Sequence, residues 1–445
     1  MEEKIVVAAD FGNGKIAVAA ARKKDYGELE LIDFKQIKSK NDLIKDGKIV
    51  DENALASEVI AMIKQIETDN NLQIDKVHFA AAPHTLRSET RKVSVETSDF
   101  SDINEELIDK AEEIKISENR SVFYALPLEI TTIGSRKAEG NFLITSVKKG
   151  VKEQFLNLKN TALSAYKPKY FVAPLVEAEI FLSSEQKKNC TLLVDIGLGC
   201  TSFAVYQNGL PCLCAVVPLG SNHITNDIMT TFDIEKYHAE TLKTDKRYGL
   251  ATASTSTLTI GKIVIKADEL KEVISARLNE IFKFIFDELK SKKIENISEI
   301  VLVGGGAKMI FLPEFLKKIS NADVQIADFE TIINDKTKNF VSPENALLFA
   351  LLKNCDEVCG KIKRLETVEV EQPRETERER KDRLKREEKE RIKREKEMEK
   401  ERKRREKEEE EVRKKHFLVR TIEFLEEKIA DGIFTETPLN KNKEN

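Results

Sequence analysis

Over residues 1–363, apolar positions fall in short runs separated by polar breaks, a pattern typical of an α/β protein with buried strands. The runs KIVVAA (4–9) and IAVAAA (16–21) flank the loop Asp10-Phe11-Gly12-Asn13-Gly14-Lys15 and predict a β-hairpin with a glycine-rich tip. We expect the tip to offer backbone N–H groups in φ > 0 conformations that can hold an anion beside Asp10. Taken alone, the loop is a weak signal and favours an ordinary hairpin turn, because glycine hairpin turns are common.

The same arrangement occurs again 185 residues later. The strand TLLVD (191–195) leads into Ile196-Gly197-Leu198-Gly199-Cys200-Thr201 and a return strand, SFAVY (202–206). Two copies of Asp-x-Gly-x-Gly, each between two strands, predict duplicated α/β halves that face each other across a cleft. Two facing loops with two aspartates suit a triphosphate and its Mg²⁺, because Mg²⁺ keeps most of its waters and needs only carboxylates and phosphate oxygens nearby.

A third glycine loop ends the strand EIVLV (299–303) as Gly304-Gly305-Gly306 and precedes a predicted helix over 312–320. Consecutive glycines let a planar ring or a ribose approach the backbone closely. A tight turn between strand and helix is the alternative interpretation.

In this order, the three loops resemble the phosphate-1, phosphate-2 and adenosine motifs of the superfamily of actin, the heat-shock chaperones and the sugar kinases. Within it, the chain is similar to the FtsA family of bacterial cell-division proteins. Three further stretches carry that resemblance: IKDGKIVD (44–51), the residues around Ala346 and, most specifically, VPLGSNHITNDI (217–228). The resemblance covers roughly residues 4–355 and implies an α/β, actin-like two-lobed ATPase fold of duplicated RNase H-like halves.

The resemblance also implies a domain organisation. A small inserted α+β subdomain is expected between the two parts of the first lobe, with SVFYALPLEITT (121–132) as its central strand. The expected boundaries are 1–78 and 169–185 for the first lobe, 79–168 for the inserted subdomain, 186–360 for the second lobe, 361–415 for a charged linker, 416–435 for an amphipathic membrane-targeting helix and 436–445 for a disordered tail.

Roles for individual residues follow from matching positions. Asp10 and Asp195 would hold Mg²⁺ through its waters, and Asp195 and Glu179 would be catalytic, with Glu179 near the attacking water. For Glu179, Glu240 and Lys243, a structural role or a surface charge is the open alternative. The implied ATP-binding residues are Asp10, Gly12, Asn13, Gly14, Lys15, Gly197, Gly199, Cys200, Thr201, Glu240, Lys243, Gly304, Gly305 and Gly306.

Two positions depart from the family pattern. Leu198 stands where the family usually has another glycine, and Ser202 stands where it usually has an aspartate. Because Ser202 removes a carboxylate from the phosphate-2 region, we predict ATP binding with at most weak ATPase activity.

The composition changes sharply after the predicted lobes. Residues 375–415 contain 20 Lys/Arg and 16 Asp/Glu, with only four apolar positions. This arm lacks the apolar seam that a coiled coil requires. Charge pairs at i,i+4 favour a solvated single helix, whereas the high charge is also typical of disorder, and the sequence leaves both open.

An apolar stripe at helical spacing follows the arm, next to basic residues 413–415. Such a stripe predicts a helix lying in a membrane surface, as the FtsA resemblance also implies, although packing on the body or on a partner helix is an alternative. The predicted membrane-contacting residues are Phe417, Leu418, Ile422, Phe424, Leu425, Ile429, Ile433 and Phe434.

The overall composition argues against several other classes of protein. A net charge of −4, without a basic patch interleaved with aromatic residues, argues against nucleic-acid binding. We see no signal-peptide pattern and no apolar run near the ~20 residues of a membrane span, so we expect a cytosolic body. The six cysteines and five histidines show no zinc-type spacing, which predicts buried thiols and argues against a metal site of nitrogen and sulfur ligands.

The resemblance therefore implies an ATP-binding, actin-like protein of cell division and septum formation, on the cytoplasmic face of the cell membrane at the division site. Its implied partners are the tubulin-like ring protein FtsZ, further copies of itself arranged head to tail, downstream division proteins and the membrane surface. Two alternatives stay open. A small-molecule kinase of the same superfamily would need an acceptor base that no motif identifies. A PilM-like pilus-assembly adaptor would not need the apolar tail.

Overall fold

The computed structural model describes residues 4–24, 28–39, 43–45, 47–96, 103–133, 137–244, 250, 257–260, 263–329, 340–363, 385, 388–404 and 407. The chain forms two compact units, 1–364 and 365–445, which are described separately.

The strands of the first unit are mostly short apolar runs. In chain order, they are β1 (Lys4–Phe11), β2 (Lys15–Lys23), β3 (Leu29–Lys38), β4 (Ile44–Lys45), β5 (Lys48–Ile49), β6 (Leu72–Ile74), β7 (His78–Ala81), β8 (Arg87–Glu96), β9 (Arg120–Ile133), β10 (Lys137–Lys148), β11 (Lys169–Val172), β12 (Thr191–Ile196), β13 (Thr201–Gln207), β14 (Leu210–Val217), β15 (Thr257–Ile260), β16 (Ile263–Lys266), β17 (Glu299–Val303), β18 (Asp323–Ile326) and β19 (Gly360–Ile362).

The helices of the first unit connect and cover these strands. In chain order, they are α1 (Glu52–Asp69), α2 (Ile103–Glu112), α3 (Val151–Asn157), α4 (Ala173–Phe181), α5 (Ser184–Lys188), α6 (Ser221–Phe232), α7 (Lys236–Thr244), α8 (Ala267–Ser291), α9 (Leu312–Ser320) and α10 (Ala346–Asn354).

Two large sheets repeat one strand arrangement. The first runs β3-β2-β1-β7-β11 and the second contains β14-β13-β12-β17-β18. In each, three antiparallel strands are followed by two parallel ones. In the first sheet, β19 additionally pairs with the start of β1 and with β6. The predicted duplication of an α/β half is therefore confirmed at the level of sheet topology.

Strand alternation decides what each sheet face contacts. Along β12, Leu193 belongs to a core shared with the first sheet, whereas Leu192 and Val194 belong to a second core. Helices α4 and α10 pack against each other in the shared core. Helix α8 covers the opposite face of the second sheet with an apolar stripe of buried residues, namely Leu270, Ile274, Leu278, Ile281, Phe282, Ile285 and Leu289.

The inserted segment is smaller than the predicted 79–168. The strand expected at 121–132 is β9, which with β8, β10 and α2 forms a small α+β layer. A pairing of Arg87 with Ala215 joins this layer to the second sheet. At the predicted start, β7 is a fully buried strand of the first sheet, between β1 and β11. Near the predicted end, Phe155 of α3 packs in the core of the first lobe. The inserted layer is thus limited to residues 87–148.

Within the second unit, residues 388–404 are helical and exposed. Ion pairs at i,i+4 connect Arg391 with Glu395 at 3.7 Å and Lys403 with Glu399 at 2.7 Å. This part of the arm is therefore a solvated single helix. The tail residues predicted to contact a membrane, 417–434, lie outside the described residues. Among the helices that the structure does describe, none combines the length and apolar character needed to cross a bilayer.

Candidate functional site

A cavity of about 430 Å³ lies where β1, β12 and β17 end. Its walls contain both Asp-Gly loops, the third glycine loop and residues of α7. It is also lined by Asp195, the second predicted Mg²⁺ residue. Thirteen of the fourteen predicted ATP-binding residues line it: Asp10, Gly12, Asn13, Gly14, Lys15, Gly197, Gly199, Cys200, Glu240, Lys243, Gly304, Gly305 and Gly306.

The two Asp-Gly loops have the same backbone turn. The Gly12 amide donates to the Lys15 carbonyl at 2.9 Å, and the Gly197 amide donates to the Cys200 carbonyl at 3.0 Å. Asp10 pairs with Ala17 across the first hairpin, just as Asp195 pairs with Ser202 across the second. The loops are therefore structurally equivalent, and each places one aspartate at the cavity.

The expectation of φ > 0 conformations in these loops is wrong. None of Gly12, Gly14, Gly197 and Gly199 has a left-handed φ. At Gly12, Gly197 and Gly199 a side chain would be crowded, whereas a Cβ on Gly14 would meet nothing closer than 3.5 Å. A Cβ on Gly199 would lie 2.5 Å from the Asn13 side chain, and one on Gly197 would lie 2.9 Å from a carbonyl oxygen. Glycine thus allows the tight turn within the second loop at Gly197 and the close approach of the two loops at Gly199.

The 217–228 stretch supports the second loop from behind. The Ser221 amide donates to the Gly197 carbonyl and the Asn222 amide donates to the Leu198 carbonyl, both at 2.9 Å. A Cβ on Gly220 would lie 2.7 Å from three backbone atoms of this loop. The start of α6 and the second loop therefore form one rigid substructure.

Thr201 is the one predicted ATP-binding residue that does not line the cavity. It is the first residue of β13, and its side chain is buried. Its hydroxyl donates to the Leu219 carbonyl at 2.8 Å. The predicted contact with phosphate is therefore wrong for the Thr201 side chain, which instead holds the segment before α6.

Three carboxyl groups lie together beside the loops, with Glu177 buried and Asp10 and Asp195 partly buried. Burial raises the pKa of Asp10 to about 6, against the opposing charge of Lys15. Burial, followed by the charge of Asp10, raises the pKa of Asp195 to about 7. The pKa of Glu177 lies well above its ordinary value because of burial and the charges of Asp195 and Asp10. Clustered carboxylates that disfavour each other's ionisation form a place where a divalent cation is stabilising.

The structure does not place Glu179 at the cavity, where it was predicted to lie near the attacking water. Its carboxylate lies outside the cavity, where it accepts a hydrogen bond from Tyr206 Oη at 3.2 Å and pairs with Lys187 at 2.7 Å. Glu177, two residues earlier on α4, faces the interior instead, because positions two apart lie on nearly opposite sides of a helix. All of residues 173–178 are buried, so no polar face in the sequence revealed the helix phase.

Glu240 and Lys243 lie one turn apart on α7 and both line the cavity. Lys243 Nζ donates to Thr225 Oγ1 at 2.7 Å and to the Ser221 carbonyl at 3.1 Å, and Thr225 Oγ1 donates to Glu240 at 2.6 Å. Lys243 is buried, which lowers its pKa. The surface-charge alternative is therefore excluded for Lys243, which connects α7 to α6 at the cavity wall.

The third glycine loop packs closely against the second Asp-Gly loop, a contact that the sequence did not predict. Gly304 has a φ of 83°, and a Cβ there would overlap Asp195 Oδ1. A Cβ on Gly306 would overlap the Ile196 side chain, whereas one on Gly305 meets nothing closer than 3.8 Å. Gly304 and Gly306 are thus needed for packing on β12, and Gly305 is the glycine with free space beside it.

Several cavity residues were missed from the sequence. Lys308 and Glu344 line the cavity and form an ion pair at 2.7 Å, and Lys15 donates to Asn345 at the start of α10. Lys308 could have been suspected as the first charge after the third glycine loop. No local signal identified Glu344 or Asn345, because their places depend on long-range packing.

The duplicated sheets, with equivalent Asp-Gly loops at one cavity, define the class of the protein as an actin-like ATPase fold. Its fold is similar to that of the solved PilM-PilN type IV pilus biogenesis complex. The TM-score is 0.57 at 16% identity, and the match covers 78% of this chain and 97% of that one.

Within this class, the model of the family "Cell division protein FtsA" matches residues 192–379. The chain is 23% identical over 396 residues to the cell division protein FtsA of Borreliella burgdorferi, covering 82% of this chain and 94% of that protein. It is 26% identical over 349 residues to that of Streptococcus pneumoniae, covering 73% and 75%. The chain is therefore a relative of FtsA, which confirms the resemblance found in its motifs.

Because Glu179 lies outside the cavity, we expect Glu179→Gln to leave ATP affinity and ATP turnover within about twofold of the unchanged protein. Phosphate release measured under single-turnover conditions checks this. Asp195→Asn, in the cavity, is the contrasting variant and should lose nucleotide-dependent activity. A tenfold loss of turnover in Glu179→Gln would mean that the helix α4 arrangement is different when nucleotide is bound.

Proposed function

We propose that this chain binds ATP with Mg²⁺ in the cavity between its two Asp-Gly loops and acts in cell division. The observation that carries the proposal is the pair of equivalent loops, each of which places a partly buried aspartate, Asp10 or Asp195, at one cavity. Sequence similarity to FtsA over most of the chain supports the cellular role.

The residues present fit Mg²⁺ and a triphosphate. Asp10 and Asp195 are partly buried carboxylates whose pKa values are raised mainly by burial, and a bound cation would stabilise their ionised forms. They would hold Mg²⁺ through its waters, and Lys15 and Lys308 would add positive charge toward the phosphates. When bound, Mg²⁺ would neutralise part of the negative charge of the phosphates.

The same site supports slow hydrolysis at most. Burial, together with the charges of Asp195 and Asp10, raises the pKa of Glu177, which disfavours the carboxylate form that could accept a proton from water. Ser202, at the position where a carboxylate is usual in the family, has a buried hydroxyl without a hydrogen-bond partner among the described residues. ATP would therefore act mainly by joining the two lobes, since it would contact both loops at once and so favour the closed arrangement.

The proposed cellular role is to anchor the FtsZ ring to the cytoplasmic face of the membrane at the division site. Self-association head to tail and recruitment of downstream division proteins belong to the same proposal. These partners rest on the relationship to FtsA together with the apolar tail stripe at 417–434. The charged arm (375–415) between the lobes and the tail would set the distance over which the lobes are tethered to the membrane.

We expect the full chain to sediment with anionic liposomes, and a version truncated after Lys415 to stay in the supernatant, because the apolar stripe provides the buried area. A matched pair of variants sharpens the test. Leu425→Gln, on the stripe, should weaken sedimentation, whereas Glu426→Gln, beside it, should not. FtsZ added to the liposomes should then sediment only with the full chain.

Other outcomes would contradict the proposed membrane-anchoring role. If neither form sediments, the tail binds protein and the membrane role fails. Capture of pilus-assembly proteins by the purified chain would then favour the pilus adaptor, for which the fold likeness alone is insufficient. Rapid ATP turnover that depends on an added sugar or acid would favour the small-molecule kinase.

A further inference from the structure

A second cluster of metal-ligating side chains lies in the first lobe, apart from the nucleotide cavity. Cys355 follows α10, Cys359 precedes β19, and His78 is the first residue of β7. All three are buried, and one ligand atom from each lies within 4.8 Å of the other two. The expectation that cysteine and histidine spacing excludes such a cluster is wrong, because His78 lies 277 residues from Cys355 in sequence.

The distances match the edges of a tetrahedral metal site. The Sγ atoms of Cys355 and Cys359 are 3.7 Å apart, and His78 Nε2 is 3.7 Å from Cys355 Sγ. With bonds of about 2.3 Å to sulfur and about 2.0–2.1 Å to nitrogen, a tetrahedral Zn²⁺ separates two sulfurs by about 3.8 Å and a nitrogen from a sulfur by about 3.6 Å. Two of the three donor–donor distances therefore match a tetrahedral site, and the third, between Cys359 Sγ and the histidine nitrogen, is at most 4.8 Å.

An oxygen is available for the fourth position. The Glu357 carbonyl accepts from the thiols of Cys355 and Cys359 at 3.4 Å and 3.5 Å, so it lies beside both sulfurs. The Glu357 carboxylate is already engaged, since it pairs with Lys76 and Lys169. The loop over 355–359 thus places one carbonyl oxygen beside both sulfurs.

The His78 ring is buried, and one of its nitrogens faces Cys355 Sγ. The ring is 2% exposed, and Nδ1 has no hydrogen bond within the described part of the chain. Nε2, which lies 3.7 Å from Cys355 Sγ, is the nitrogen that would bind the ion, and Nδ1 would then carry the ring proton. Two thiolates and an imidazole select zinc or another thiophilic ion over Mg²⁺ or Ca²⁺, which prefer oxygen ligands.

We propose that His78, Cys355 and Cys359 form a structural Zn²⁺ site at the C-terminal end of the first unit. Binding would release the two thiol protons to solvent as the Zn–S bonds form. Backbone hydrogen bonds already join Cys359 to Ile5 of β1 and to Asp75 ahead of β7. The ion would add a cross-link between the first sheet and the end of α10, whose opposite end lines the nucleotide cavity.

The test uses the full chain, reduced and stripped with a chelator, then equilibrated with Zn²⁺ and passed over a desalting column. Metal analysis should find about one zinc per chain, and Zn²⁺ should raise the melting temperature. Co²⁺ added instead should give the intense near-ultraviolet absorption of thiolate-to-cobalt charge transfer. The Co²⁺ spectrum needs no variant and so remains informative if variants fold poorly.

Cys359→Ser should lose the zinc and most of the Co²⁺ absorption. Cys214→Ser is the matched control, because Cys214 is also fully buried but lies in the second sheet, away from His78. Equal zinc in Cys359→Ser and the unchanged chain would overturn the site. Absence of the Co²⁺ band, with an oxidant joining Cys355 to Cys359 instead, would also overturn it and identify a redox pair. ATP binding is measured separately, so the nucleotide proposal stands or fails independently.

Discussion

Asp195→Asn is expected to weaken binding of ATP in the presence of Mg²⁺ by roughly 100-fold, or about 3 kcal/mol, while stabilising the nucleotide-free protein. The two effects have opposite signs because the ionised Asp195 carboxylate stabilises bound Mg²⁺ but, without Mg²⁺, destabilises the folded state. Its pKa of about 7 lies above the ordinary value for Asp, so the folded protein holds more protons than the unfolded chain between about pH 4 and 7. Stability without Mg²⁺ therefore falls as pH rises through that window.

At pH 8, removal of this group should raise the free energy of unfolding by roughly 2–4 kcal/mol, and at pH 4 the difference should largely vanish. Urea unfolding at both pH values without Mg²⁺, with isothermal titration of ATP, measures the two effects. Asp51→Asn is the control, since Asp51 is an exposed helix cap and Asn caps equally well. A less stable Asp195→Asn at pH 8 would contradict the clustering of charges at this site.

Gly304→Ala is expected to destabilise the first unit by about 3–5 kcal/mol and to abolish ATP binding. The new methyl group would overlap Asp195 Oδ1 and would lie 2.8 Å from the Ile196 carbonyl oxygen. The Asp195 carboxylate would have to move away from the cavity. Thermal or urea unfolding and ATP titration measure the two losses.

Gly209→Ala is the matched control for this substitution. Gly209 has a φ of 84°, close to the 83° of Gly304, but a Cβ there would meet nothing within 4 Å. It should cost only the strain of a left-handed alanine, about 1 kcal/mol, and leave ATP binding unchanged. Equal losses in both variants would show that backbone strain, and not contact with Asp195, explains the need for Gly304.

The repeated loops were predictable because each is a local signal. A buried strand that ends in Asp-x-Gly-x-Gly carries its own hairpin, so Asp10 and Asp195 could be placed at strand ends without knowledge of the fold. Similarity to a known family then put the two halves face to face. The reason for the loop glycines was not predictable, since the crowding at Gly199 comes from Asn13 on the other loop.

The sequence by itself determined the strand runs, the duplication, the two aspartates and the separation of a charged arm from the lobes, because hydrophobic period and composition act locally. Only the tertiary structure decided that Glu177 and not Glu179 faces Asp195, that Thr201 supports α6, and that His78 meets Cys355 and Cys359. Each of these depends on the rotation of a buried helix or on contacts between residues far apart in sequence. Such features follow from how whole elements pack, which no local pattern encodes.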